Sequence, residues 1–350
     1  MILNLKKIKP YSGDKKKQNE FFCRNLKQLT RHHFSNSNEY KKFLIKSNYN
    51  LNNNSLEKFP FLPSNIFKEI ELKSINSKKI YKILTSSGTS GKKLSKIFLD
   101  RNNAQNQIIA LSKLIETILG EKRLPMLIID QNPKNNSYTF SARVTAINGF
   151  SIFGYDYTYL FNSKKEINHT KLKIFLKRYS GKPFFVFGFT SLVYKSFFEA
   201  LKEYNYNFDG GILLHGGGWK KLEINKIDNK KFKKFLLKRY NFKNIYNYYG
   251  MVEQTGSIFL ECKYCSCFVT SSYSNVLIRD KNFNIVKDGK EGLIQLFSLL
   301  PTSYPGHSII TEDLGLIVNK DNCVCSSQGK RFKVLGRASM AEIRGCSDTI

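Results

Sequence analysis

The sequence predicts an α/β fold with a mainly parallel sheet, followed by a β-rich lobe. Three observations lead there. Strand and helix signals alternate from about residue 80 to 249. A serine- and glycine-rich loop follows the first strand of that series. From residue 257 to 335 the helical spacing gives way to short strands separated by turns.

The elements follow in order. Residues 15–50 space Phe21, Phe22, Leu26, Leu29, Phe43 and Leu44 as helices do. Phe59-Pro60-Phe61-Leu62-Pro63 breaks that pattern. A strand is expected at 80–84, a helix at 102–120 and a buried strand at 124–130. Another strand at 184–189 leads into a helix at 191–204. A strand at 211–215 runs into a glycine run, followed by a helix at 228–239 and a strand at 244–249. In the β-rich lobe, strands are expected at 276–279 and 292–297. Residues 1–60 read as an N-terminal helical segment. Residues 61–350 read as one domain, with the lobe at about 257–335 and a mobile tail at 345–350.

The chain has 350 residues and 41% hydrophobic residues, enough for a substantial core. No stretch reaches the roughly 18 apolar residues of a membrane span. The first ten residues alternate Leu and Ile with Lys and lack the apolar core of a secretory signal, so a cytoplasmic protein is expected. The net charge of +30 comes from lysines spread end to end among many asparagines. That distribution describes a solvated surface that attracts acidic partners, and no nucleic-acid partner is expected. Seven cysteines in so long a chain do not form a disulfide framework.

Thr85-Ser86-Ser87-Gly88-Thr89-Ser90-Gly91-Lys92-Lys93 follows a predicted strand. Gly88 and Gly91 let the backbone bend around an anion, and its N–H groups and hydroxyls are donors for phosphate oxygens. Lys92 and Lys93 add point charges. The spacing is too short for a Walker loop. By composition alone the stretch fits a flexible turn equally well.

Further blocks follow in order: His215-Gly216-Gly217-Gly218-Trp219, Tyr248-Tyr249-Gly250-Met251-Val252-Glu253-Gln254, Thr311-Glu312-Asp313, then Gly336-Arg337 with Ile343-Arg344-Gly345. This ordered set resembles the adenylate-forming superfamily of acyl-CoA synthetases, luciferases and peptide-synthetase adenylation domains. In detail it resembles the acyl-protein synthetases, which supply fatty acyl groups to the reductase of bacterial bioluminescence. Phenylacetate–CoA ligases are the next nearest group.

The resemblance implies ATP-dependent activation of a carboxylic acid, with a fatty acid as the expected substrate. Ser86, Ser87, Gly88, Thr89, Ser90, Gly91 and Lys93 would hold ATP phosphates. Gly216, Gly217 and Gly218 would contact adenine, with Tyr249 stacked on it beside Gly250. Asp313 would bind the ribose, Arg337 ribose or phosphate, and Glu253 the Mg²⁺. The chain is expected to lack the small mobile C-terminal domain of larger relatives, and with it a late catalytic lysine. The loop's lysines, Lys92 and Lys93, are the leading candidates to cover for it, with a partner protein the alternative. Cys346 matches the near-terminal cysteine that is acylated in the resembling family; a thiolate there can attack an acyl-adenylate. An acyl reductase or an acidic acyl carrier protein is the expected partner.

Cys262-x-x-Cys265-x-Cys267 and Cys323-x-Cys325 offer thiolates for a tetrahedral structural zinc, with Cys262, Cys265, Cys323 and Cys325 the favoured set. Reduced, buried cysteines are the alternative. His215 fits either a carboxylate-facing role or a strand-end structural one. Two other functions stay open: a ligase ending on coenzyme A or a carrier thiol, of the phenylacetate–CoA ligase type, and a non-catalytic basic binding protein.

Overall fold

The computed structural model describes residues 5–11, 14–86, 93–133, 142–218, 227–319, 323–325 and 329–338. The chain forms two compact units. One takes residues 1–113, 250–259 and 267–350; the other takes 114–249 and 260–266.

The first unit begins with α1 (Lys15–Asn36), started by Asp14, whose side chain accepts from the Lys16 N–H. The helix stops at Ser37, and α2 (Asn38–Lys46) follows. Phe22, Leu26, Tyr40 and Leu44 are buried, as the apolar spacing requires. Next come β1 (Leu62–Pro63) and α3 (Ile66–Glu69). Then β2 (Lys82–Thr85) and β3 (Lys96–Leu99) pair as an antiparallel hairpin, Thr85 opposite Lys96. The strand expected at 80–84 starts two residues later because Ser77–Lys79 coils into a 3₁₀ turn capped by Asn76. Helix α4 (Arg101–Leu119) closes this stretch.

In the second unit β4 (Leu124–Gln131), α5 (Ala142–Ser151), β5 (Gly154–Phe161), α6 (His169–Arg178), β6 (Phe184–Phe189), α7 (Thr190–Tyr194), β7 (Gly211–Gly216), α8 (Asn229–Tyr240) and β8 (Asn244–Tyr249) alternate. The strands are parallel, in the order β5-β4-β6-β7-β8. Buried on both faces, β4, β6 and β7 read as continuous apolar runs, which is why their sequence signal is clear. Edge strand β5 carries the exposed Tyr155, Asp156 and Tyr157, and no apolar run announces it.

The helix expected at 191–204 is broken. α7 passes into a π turn at Lys195–Ala200, which ends before Leu201. The wide turn buries Phe197 and Leu201 together in the core, and the Tyr240 hydroxyl donates to the Phe197 carbonyl at 2.6 Å. α8 matches its expected position, with Asp228 accepting from the Lys230 and Lys231 N–H groups.

The last third opens with β9 (Phe259–Glu261), and β10 (Phe268–Val269), β11 (Ser274–Arg279), β12 (Gly292–Ser298), β13 (Ser308–Ile317) and β14 (Arg331–Arg337) follow. In the first unit β11-β12-β13-β14-β10 form an antiparallel array, and β1 lies parallel to β13. Every residue of β11 and β12 is buried. The one cation on β11, Arg279, donates to the Gln295 side chain and to the Phe283 and Glu57 carbonyls, so its burial leaves no donor stranded. Among the described residues no helix is long and apolar enough to cross a membrane.

Candidate active site

Much of the phosphate loop, Ser87, Gly88, Thr89, Ser90, Gly91 and Lys92, lies outside the described residues, as do Trp219 and Cys346. The base of that loop is described. The Ser86 N–H donates to the Ser95 carbonyl at 3.2 Å, and the Ser95 N–H donates to the Ser86 hydroxyl at 3.0 Å. These bonds continue the β2–β3 ladder and pinch the loop's ends together. Ser86 is therefore engaged as an acceptor by the Ser95 N–H. Lys93 pairs with Glu69 at 2.8 Å. Both groups are exposed, so the pair is weak and exchangeable for a phosphate.

The first unit also holds Glu253, Asp313 and Arg337. Glu253 sits in a 3₁₀ turn, Val252–Gln254, and is only 6% exposed. The turn is held from both sides. The Tyr304 hydroxyl donates to the Glu253 carbonyl at 2.8 Å, and the Gln254 side chain donates to the Gly306 carbonyl at 2.9 Å. Burial pushes the Glu253 carboxyl above its ordinary range. The adjoining Ser95 hydroxyl and the Lys68 ammonium pull it down, and Glu312 pushes it up. Glu253 thus lies against the residue that closes the phosphate loop.

The buried carboxylate and the neighbouring Ser95 hydroxyl, itself buried without a hydrogen-bond partner among the described residues, form a hard-oxygen donor pair. It fits a divalent ion such as Mg²⁺, whose charge would offset what burial costs the carboxylate. Sequence reading missed Ser95, Glu312 and Lys68. Glu312 stands beside Asp313, which was a signal; Lys68 gives none before folding.

On β13 and β14 the register sets Asp313 directly opposite Arg337, with Nε 3.9 Å from the carboxylate. The Asp313 N–H donates to the Thr311 hydroxyl at 3.1 Å, which fixes the turn of the strand there. One acceptor and one forked donor side by side suit a sugar diol and its adjoining phosphate.

The second unit holds the glycine run at the carboxyl end of its parallel sheet. That run ends β7, between β6 and β8, one strand away from the switch in strand order between β4 and β6, the kind of place where α/β sheets bind ligands. Gly216 faces Phe189 on one side and Tyr248 on the other. A Cβ on Gly216 would stand 2.3 Å from the Tyr248 ring, so only glycine lets that ring lie across the strand end. Gly217 has φ +78°, a left-handed conformation. Gly218 follows at the edge of the described residues. Tyr248 stacks inward on Phe150 and Phe187. By strand alternation Tyr249 projects to the opposite face. Gly250 follows in the first unit, exposed.

His215 lies at the end of β7 with its Nε2 buried and without a hydrogen-bond partner among the described residues. It is buried, its Nδ1 lies 3.0 Å from the Thr190 hydroxyl, and the Phe232 ring packs against it. Burial, and then the nearby Lys233 charge, depress its pKa to about 3.

The cysteines divide between the units. Cys262 and Cys265 lie in the second, both buried, and the Ser266 N–H donates to the Cys262 carbonyl in a tight turn with Ser266 at φ +54°. Cys323 and Cys325 lie in the first, both half-buried, and Arg331 donates to the Cys325 sulfur at 3.1 Å. Cys267 is buried.

The fold is that of adenylate-forming ligases. An open form of 2-hydroxyisobutyryl-CoA ligase, solved with 2-HIB-AMP and CoA, superposes with a TM-score of 0.72 at 13% identity, covering 93% of this chain and 76% of that one. A model of the acyl-protein synthetase family, LuxE, matches residues 4–350. The chain belongs to that family. Similar relatives are long-chain-fatty-acid–luciferin-component ligases. The one from Aliivibrio fischeri is 22% identical over 324 residues, 88% of this chain and 82% of its own length. The one from Vibrio harveyi is 20% identical over 365 residues, 97% of this chain and 89% of its own.

Proposed function

We propose that this AMP-forming ligase activates a long-chain fatty acid with ATP and passes the acyl group through its own Cys346 to a partner protein, an acyl reductase or an acidic carrier. The observation that carries the ATP half is the buried Glu253 beside the Ser86–Ser95 closure of the phosphate loop.

A fatty carboxylate oxygen attacks the α-phosphorus of ATP. A C–O–P anhydride forms, and the bond to the β-phosphate oxygen breaks, releasing pyrophosphate. Negative charge builds on the phosphate oxygens, so preplaced donors count most. The loop's N–H groups, hydroxyls and Lys92 would receive the leaving phosphates, and Lys93 would exchange Glu69 for them. Glu253 would hold the Mg²⁺, which supplies charge neutralisation when bound. Gly216, Gly217, Gly218, Tyr249 and Gly250 would seat adenine, and Asp313 with Arg337 the ribose. The Cys346 thiolate then attacks the acyl carbon, forming a thioester and expelling AMP.

The protein incubated with ATP and radiolabelled tetradecanoate is expected to retain a label that hydroxylamine removes. Cys346→Ser should retain none while still exchanging pyrophosphate into ATP. Equal labelling of Cys346→Ser removes Cys346 from the pathway. Absence of acid-dependent exchange in the unaltered protein removes the whole reading. A panel of acids in the same exchange assay identifies the substrate.

A structural zinc on Cys262, Cys265, Cys323 and Cys325 belongs to the same proposal. The supporting features are the four thiols and the tight turn at Cys262. Elemental analysis should find about one zinc per chain; a metal-free protein that folds normally rules it out.

A further inference from the structure

The first unit contains a cavity of about 280 Å³ that has no part in the chemistry above. It lies where the segment at Pro10 and Tyr11 and the start of α1 meet β11, β14 and the loop after β13. The chain is tied down there: the Ser272 N–H donates to the Pro10 carbonyl at 2.8 Å, and the Ser272 hydroxyl to the Lys9 carbonyl at 2.7 Å.

Its lining has two characters. Ile285 and Ile317 give it aliphatic surface, while Val276 and Ile278 of β11 border it as buried core residues. The polar lining includes the Lys330 ammonium, the Asn275 amide and the Asp288 carboxylate. The Lys330 ammonium makes one long bond, 3.4 Å to the Val276 carbonyl. Asp288 and Glu57 act on it, but among the described residues no carboxylate lies within ion-pair distance. Burial outweighs them and pushes its pKa below the usual lysine range. A partly buried ammonium without a contacting anion carries a desolvation cost, and an anion that reaches it recovers that cost. The Asn275 carbonyl oxygen accepts the Val276 N–H at 2.8 Å, which leaves its NH₂ as a second donor.

We infer that this cavity is a binding site for a small amphipathic carboxylate, its head on Lys330 and its short aliphatic body against Ile285 and Ile317. Inorganic phosphate satisfies the head but wastes the apolar wall, and an alkylamine meets a like charge. The volume lies near the lower end of ligand pockets, roughly 300–1,000 Å³, so a medium chain fits and a long one does not.

The test uses the full chain with its activation site saturated by a non-hydrolysable alkylsulfamoyl-adenosine. Octanoate is titrated by calorimetry. One saturable site is expected, with no heat from octylamine or inorganic phosphate. Lys330→Met should weaken octanoate at least tenfold. Ile285→Trp, at an exposed rim position, should do the same by filling the mouth. Acid-dependent pyrophosphate exchange should stay unchanged in both, which separates this site from the activation site. The inference is overturned if octanoate fails to bind beside the adenosine analogue, or if both variants bind it as the unaltered chain does. Should Lys330→Met melt early, Ile285→Trp alone decides.

Discussion

Glu253→Gln is expected to lower acid-dependent ATP–pyrophosphate exchange by about a hundredfold or more, ~3 kcal/mol of transition-state stabilisation. The substitution keeps shape and removes charge. Glu253 is buried, so its ionised form stands at a cost that a bound cation offsets. Its pKa in the fold is raised, so the ionised group subtracts stability as pH rises above the unfolded carboxylate value. Gln removes that penalty. The variant should therefore melt no lower than the unaltered protein while losing exchange. Titrating Mg²⁺ should show a higher requirement in the variant. An exchange rate within threefold of the unaltered protein would sink the assignment; a lost rate with a falling melting temperature would instead make Glu253 a structural residue.

Acid should unfold the protein well before its carboxylates titrate. His33 and His307 are buried and stacked, with ring centroids 4.8 Å apart. The Pro301 carbonyl accepts from His33 Nε2 at 3.1 Å, so His33 Nδ1 accepts from the Ser74 hydroxyl at 2.7 Å. His307 Nε2 lies 3.0 Å from the Thr30 hydroxyl and 3.3 Å from the Tyr40 hydroxyl. These bonds serve neutral rings. Burial, with repulsion from neighbouring histidines, holds His33 well below the ordinary value and His307 at about 3. His215, in the other unit, is also held at about 3.

The sign follows directly. These groups bind protons in the unfolded chain from about pH 6.5 downward, whereas in the folded chain His215 and His307 resist until about pH 3 and His33 is held well below its ordinary value. Stability is complete above pH 6.5 and drains as pH falls through that window. At pH 5 His215 and His307 each cost ~2 kcal/mol, a large share of an ordinary domain's net stability, and His33 adds a cost of the same sign. Urea midpoints measured from pH 7.5 to 5 should fall steeply, and His307→Gln should flatten the slope by about one proton. A midpoint that does not move over that range refutes the expectation.

Much of the fold was legible because burial on two faces leaves apolar runs. Phe184–Phe189 and Asn244–Tyr249 stand where the sequence places them, and Asp228 marks the start of its helix. Edge strand Gly154–Phe161 was not legible, since its outward tyrosines carry no run. The π turn at Lys195–Ala200 was hidden too, because Tyr240, far along the chain, makes it affordable.

For the loop at Thr85–Lys93, the sequence by itself determined the residue types, their order with the downstream blocks, and hence the kind of chemistry. Those are properties of spacing along one strand of chain. Only the tertiary structure decided that Ser95 closes the loop, that Lys93 rests on Glu69, that Glu253 is buried beside Ser95, and that Asp313 meets Arg337 across two strands. Each is a through-space contact whose partner is chosen by packing and strand register. Burial in turn sets what a carboxylate or an imidazole costs when charged, and that quantity exists only once the chain has folded.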